Sequence, residues 1–217
     1  MEKIPQSIDR LITIGVDIQN DFVDGSLAVP EATRILQPMN QLLAYTRTRG
    51  GTVALTRDWH PETTKHFDVW PSHCVEGTNG AAFHERLATE PSDIIISKGT
   101  STIDDGYSGF EGMSGAGQTL EQLIRPRTPR ERVGVLLGGL ATDYCVKATI
   151  LDGLHTFSDS PNVQFALAVD AVRGVEIAAG DSQAALHEMK EAGALLATNN
   201  EITNDQTFHV VRSGHHE

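Results

Sequence analysis

The chain has 217 residues, 39% hydrophobic and 21% charged, with a formal net charge of -12 and a pI of about 5.1. This is the composition of an ordinary globular protein rather than a disordered or fibrous one, and its surplus negative charge repels phosphate backbones, so nucleic acid is not an expected partner. No apolar run approaches the roughly 20 residues of a membrane-spanning helix and MEKIPQSIDR lacks the apolar core of a signal peptide, so a cytoplasmic protein with no membrane partner and two free thiols is expected.

Residues 11–18 form the first predicted strand, with Asp17 at its end in ITIGVDIQNDF. Residues 31–49 follow as a helix, broken or bent near Pro38. A second strand at 52–56 opens onto a long connection, 58–92, which carries Asp58, His60, His66, His73 and Cys74. The third strand, 93–97, ends in Lys98, and the segment 99–116 after it is rich in Gly and Ser. Long connections without structure of their own are commonly functional. A helix is expected at 117–124, then a surface loop at 125–132, where RPRTPRER interrupts four arginines with two prolines. The fourth strand, 133–138, leads through GGLATDY to Cys145 and a helix at 143–155. A strand at 163–169, a helix at 182–192 and a weaker sixth strand at 194–197 complete the series, and the tail RSGHHE is assigned no function.

The strands are nearly continuous apolar runs, as suits strands covered on both faces of a parallel sheet. Their alternation with helices predicts an α/β, doubly wound, mostly parallel six-stranded sheet with helices on both faces. With no repeat and no linker-like change in composition, residues 1–217 read as one domain.

Two constellations carry chemistry. Asp58 and His60 are two apart at a strand end and project to one side; His66 and His73 follow on loops that can fold back over them. Three imidazoles and a carboxylate suit Zn²⁺, Fe²⁺ or Mn²⁺ with positions left open; the competing reading is a solvated polar loop. Cys74 adjoins His73, but sequence neighbours point in different directions, so Cys74 reads as buried scaffold. The second constellation is dispersed. Asp17, Lys98 and Cys145 stand at three strand ends, the edge where open α/β sheets bind ligands. A thiol in the first turn of a helix, beside Lys98, is favoured as thiolate; Asp17 suits a proton shuttle. Amides around Gly139–Cys145 suit an oxyanion hole. The plain alternative is a cap, a surface charge and a small helix residue. Walker, dinucleotide-turn and GxSxG patterns are absent.

The strings VDIQNDFVDGSLAVP, TRDWHP…HF…WPSHCVEGTNGAAFH, SKG…DGYSGFEG and GLATDYCVKATILDGL resemble the nicotinamidase/pyrazinamidase branch of the isochorismatase-like cysteine hydrolases, over about residues 11 to 190. The resemblance implies a catalytic triad of Asp17, Lys98 and Cys145, and a metal site of Asp58, His60, His66 and His73 holding one divalent ion, zinc foremost, with iron or manganese as alternatives. It implies Phe22 and Trp70 on the two faces of a pyridine ring, with Tyr107 in the matching YSGF segment. It implies a cis peptide between Leu140 and Ala141 beside the substrate, and an oxyanion hole from the Ala141 and Cys145 amides. The implied activity is hydrolysis of nicotinamide, and of pyrazinamide, through a thioester. The alternatives are another carboxamide amidohydrolase of the superfamily, or a non-enzymatic metal-binding protein on this fold. Assembly as a homo-oligomer is compatible with such a chain.

Overall fold

The computed structural model describes residues 6–205 and 207–210; the tail RSGHHE, with its two histidines, lies outside them. The central sheet is built from β2 (Arg10–Val16), β3 (Thr52–Asp58), β4 (Ile94–Lys98), β5 (Met113–Ser114), β6 (Val133–Leu140), β7 (Val163–Arg173) and β8 (Leu195–Ala197). Their order across the sheet is β5-β4-β3-β2-β6-β7-β8. All neighbours run parallel except β5, which pairs antiparallel with β4 through Ile96–Ser114 and Ser97–Met113. The sheet therefore has seven strands where the sequence indicates six. The extra strand has two residues, too few for any hydrophobic period to register. A separate parallel pair joins β1 (Gln6–Ile8) to β9 (Phe208–Val210).

Two apolar layers sandwich the sheet. One is built with α2 (Leu36–Thr48) and α6 (Asn199–Thr203), and the other with α3 (Leu120–Ile124), α4 (Lys147–Thr156) and α5 (Asp181–Glu191). Helix α2 buries Leu36, Met39, Leu42, Leu43 and Thr46, the i, i+3, i+4, i+7 stripe of a helix on a sheet. The bend expected near Pro38 takes the form of a 3-10 turn, Ala32–Ile35, ahead of the α-helix. Pro38 then falls in the first turn of α2, where a missing N–H leaves no partner unsatisfied. Helix α3 starts where Thr119 and Gln122 cap each other's backbone amides. Every residue of β6 is buried, as its place near the middle of the sheet requires.

Strand order reverses about β2: β3 and β4 lie to one side and β6 to the other. The crevice at the carboxyl ends of these strands is the topological switch point, where such sheets bind ligands. Backbones come very close there. Gly139 has φ +130, and a Cβ on it would lie 2.6 Å from the Val16 nitrogen. Only glycine allows β6 to pass this near the end of β2.

Candidate active site

Four strand ends and one turn converge on the crevice. Asp17 follows β2, with its amide on the Thr56 carbonyl (3.2 Å) and φ +49. Asp58 closes β3 and Lys98 closes β4. Cys145 follows β6 in Thr142–Val146, a π-helical turn that feeds α4. The expected helix thus begins as a widened turn, in which the Tyr144 and Val146 amides both donate to the Ala141 carbonyl at 3.1 Å. Such turns are frequent at functional sites. The Leu140–Ala141 peptide immediately before it is cis.

Lys98 is 1% exposed, among the largest wholly buried side chains of the described residues. Its ammonium stands 2.8 Å from Asp17 Oδ2 and 3.6 Å from Cys145 Sγ, donates to the Gly106 carbonyl at 2.6 Å, and pairs with Asp58 Oδ1. Asp17 Oδ1 accepts from the Thr56 hydroxyl at 2.6 Å. Asp17 Oδ2 meets the Lys98 ammonium as a charge contact at 2.8 Å, outside the geometry of a directed hydrogen bond. Ligating atoms of Asp17, Asp58 and Cys145 all lie within 4.8 Å of one another.

Burial raises the Asp17 carboxyl against the pull of Lys98. For Asp58, burial pushes the same way, but Lys98 and His60 together bring it well below the usual carboxylate range. Burial pushes the Cys145 thiol well above its ordinary value; Lys98 opposes this, while Asp17 and Asp58 reinforce it. Lys98 thus favours the thiolate, while burial and the two carboxylates favour the thiol. Lys98 itself is held charged by Asp17 and Asp58 despite its burial.

On the other side of Asp58 lies the histidine cluster. Ligating nitrogens of His60, His66 and His73 fall within 4.8 Å of one another. His60 Nδ1 bonds the Gly99 carbonyl at 2.9 Å, and His73 Nδ1 the Pro71 carbonyl at 2.7 Å. Each bond fixes the ring so that Nε2 faces inward, 3.6 Å and 3.9 Å from Asp58 Oδ2. His60 Nε2 is buried with no hydrogen-bond partner. Burial, with the neighbouring imidazoles, lowers His66 to about 4, so it is a neutral donor at neutral pH. A buried imidazole nitrogen without a partner, oriented by a carbonyl behind it and facing two more imidazoles and a carboxylate, fits a divalent cation.

Gln19 holds Asp58 in place. Its amide nitrogen donates to the Asp58 carbonyl (2.8 Å) and the Ala81 carbonyl (2.9 Å), while its oxygen accepts from the Asp58 amide at 2.8 Å. Asp21 does the same for the His73 loop, accepting from the Cys74 amide at 2.7 Å. Cys74 is wholly buried with φ +46, its thiol raised by desolvation.

Between thiol and histidines opens a cavity lined by residues that include Phe22, Asp58, His66, Trp70, His73, Tyr107, Ala141 and Cys145. Trp70 Nε1 donates to the Tyr107 hydroxyl at 2.9 Å, tying the 58–92 connection to the Gly/Ser-rich segment across the mouth. Leu140 does not line the cavity; it is wholly buried in the apolar layer beside α2. Tyr144, Leu27, Val29 and Val175 line the cavity in addition. Tyr144 was within reach of sequence reasoning, one position before Cys145. Leu27 and Val29 stand in the quoted GSLAVP string. Val175, on the loop after β7, carries no local signal.

Comparison with known proteins places residues 11–201 in a match to the isochorismatase domain. Nicotinamidase of Escherichia coli (strain K12) is 34% identical over 204 residues, covering 84% of this chain and 92% of that protein. Among solved structures, pyrazinamidase of Pyrococcus horikoshii in complex with zinc is 35% identical, with a TM-score of 0.75 over 87% of this chain and 99% of that one. A protein of L. infantum, solved in complex with nicotinate, is 28% identical, with a TM-score of 0.75 over 96% of this chain and 98% of that one.

Proposed function

The chain belongs to the isochorismatase domain family, and on that premise we infer that it is a nicotinamidase, hydrolysing nicotinamide to nicotinate and ammonia and accepting pyrazinamide as well. The observation that carries this reading is a buried Asp17–Lys98–Cys145 cluster beside a cluster of three histidines, with an aromatic-lined cavity between them.

In this scheme the Cys145 sulfur attacks the amide carbon as its proton passes to Asp17 Oδ2, the carboxylate oxygen left without a directed hydrogen bond. The amides of Ala141 and Cys145 donate to the oxygen that becomes negative. Asp17 then gives its proton to the departing nitrogen, which leaves as ammonia, and a thioester remains on Cys145. Water adds to the thioester while Asp17 again takes a proton, and nicotinate leaves as the proton returns to the thiol. Lys98 stays charged throughout. Phe22 and Trp70 enclose the ring and the Tyr107 hydroxyl holds Trp70 in place.

Asp58, His60, His66 and His73 would hold one divalent ion, zinc in preference to iron or manganese given the zinc-containing relative. When bound, the ion supplies a Lewis-acidic position for the ring nitrogen, directly or through its water. Holding the ring from that side would place the amide near Cys145, and positioning of this kind can contribute several kcal/mol to catalysis. The protein acts in the cytoplasm on a small molecule.

The test is ammonia release from nicotinamide by the wild type and by Cys145→Ala. Release is expected from the first alone; release that survives the substitution sinks the thiol mechanism. A wild type that ignores nicotinamide but hydrolyses another carboxamide would move the chain elsewhere in its family.

A further inference from the structure

The residue before Tyr144 has no part in the chemistry above. Asp143 is 7% exposed, yet it forms no salt bridge among the described residues. Its two carboxylate oxygens instead accept from two successive backbone amides of the loop after β7. Val175 N donates to Oδ1 and Glu176 N to Oδ2, both at 2.9 Å. The fit is close: a Cβ on Gly174 would lie 3.0 Å from Asp143 Oδ1. The far end of the loop is fixed too. Glu176, at φ +56, accepts from the Gly180 and Ser182 amides at 2.9 Å, at the start of α5. Between these anchors Val175 forms part of the cavity wall, together with Ala141, Tyr144 and Cys145.

We propose that Asp143 is a positioning residue for ring selection: through the Val175 and Glu176 amides it fixes the Val175 wall at a set distance from the Cys145 turn. Asp143 and Cys145 belong to one rigid turn, so nucleophile and wall share a reference point. The inference rests on the nicotinamidase reading and deepens it, naming what limits the ring substituents that the site admits. The chemistry requires a carboxylate. Two adjacent N–H groups need two acceptors, and an amide in its place offers one oxygen and turns an NH₂ group toward the other N–H.

The test compares nicotinamide with a panel of ring-methylated nicotinamides, measuring kcat and KM for each with the metal-loaded enzyme. Asp143→Asn is the direct variant. Asp143→Glu is the milder one, since it keeps both oxygens and displaces the loop by one methylene. Val175→Ala reports the wall itself. Pockets discriminate a methyl group by about 10-fold or more. Each variant is therefore expected to shift kcat/KM for at least one methylated substrate, relative to nicotinamide, by about fivefold, chiefly through KM. Asp143→Asn combined with Val175→Ala is expected to move the ratio no further than the larger single change. A merely structural Asp143 would lower the melting temperature and leave these ratios alone. Ratios within twofold of wild type in Asp143→Glu, or in Val175→Ala, overturn the proposal, even if Asp143→Asn does not fold. Failure of the underlying reading has a different signature: wild-type enzyme that releases no ammonia from nicotinamide at all.

Discussion

Replacing Lys98 by Met removes a buried cation while nearly keeping its volume, so the loss is electrostatic rather than a cavity. The ammonium lies 2.8 Å from Asp17 and is also paired with Asp58, with all three side chains at or near zero exposure. At an effective dielectric of about 20, one such contact corresponds to roughly 6 kcal/mol of Coulomb energy, much of it offset by the cost of desolvating the charges. Removing one partner of a buried pair typically costs about 3–5 kcal/mol, because a charge is left buried alone. Against a total stability of about 5–15 kcal/mol, Lys98→Met should be close to the limit of folding when metal is stripped. The assay is urea unfolding of chelator-treated wild type and variant at pH 7 and pH 5. In the variant, Asp17 keeps the burial that raises it and loses the lysine that lowers it. A carboxyl raised in the folded state recovers stability as pH falls through its folded value toward the unfolded one. The variant's deficit should therefore shrink between pH 7 and pH 5. A deficit below about 1 kcal/mol at pH 7, or one that is the same at pH 5, would refute the assignment of Lys98 as the neutralising charge.

Asp17→Asn should lower kcat by about 10²–10⁴-fold, the usual worth of a positioned proton acceptor, with melting temperature as the control for folding. Because Asp17 must be a carboxylate to act and burial raises it, kcat/KM should fall on the acid side along a limb centred above 3.8. A limb centred at or below that value would contradict the buried setting. Since the Cys145 thiol is raised as well, its alkylation by iodoacetamide should still be accelerating at pH 9 in metal-free enzyme; a plateau reached by pH 8 argues for a preformed thiolate. Tyr107→Phe deletes the acceptor for Trp70 Nε1, a bond worth about 0.5–1.5 kcal/mol. It should raise KM for nicotinamide by a few fold and leave kcat nearly unchanged, as steady-state kinetics will show. In Cys145→Ala, calorimetric nicotinamide affinity should drop at least about tenfold on metal removal, and unchanged affinity would remove the positioning role given to the ion.

Much of the site was readable because its parts depend on short-range rules. Asp58 and His60 share a face through strand periodicity, and Asp17, Lys98 and Cys145 end strands whose apolar runs are plain in the sequence. The strands then bring those ends together, since parallel neighbours put all their carboxyl ends on one edge. What escaped depends on long-range packing. Met113 and Ser114 become a strand only because Ser97 and Ile96 present an open edge to them. Val175 lines the cavity from a loop whose amide is bonded to Asp143, 32 positions earlier. Leu140, expected beside the substrate, turns instead into the apolar layer under α2. The balance at the Cys145 thiol belongs here too: dipole and lysine are visible in sequence, whereas desolvation is a property of the assembled fold.

That raised thiol changes what Lys98 does in the proposed chemistry. An ammonium has three protons, and four acceptors surround this one: Asp58, the Gly106 carbonyl, Asp17 and Cys145. Asp58 and Gly106 occupy two of them in fixed geometry. The third is left between Asp17 Oδ2, close but off direction, and Cys145 Sγ at 3.6 Å. While the thiol is protonated, the negative charge resides on Asp17; once its proton has passed to Asp17, the charge resides on sulfur. In both states a single charge lies within reach of the same ammonium proton, so the transfer moves the charge without moving the cation. A thiolate formed while Asp17 is still ionised would instead place two negative charges, Asp17 and Cys145, against that one remaining proton at a largely buried site. The arrangement thus favours ionising the thiol during attack on the carbonyl, when charge passes on to the oxyanion, over storing a thiolate beforehand.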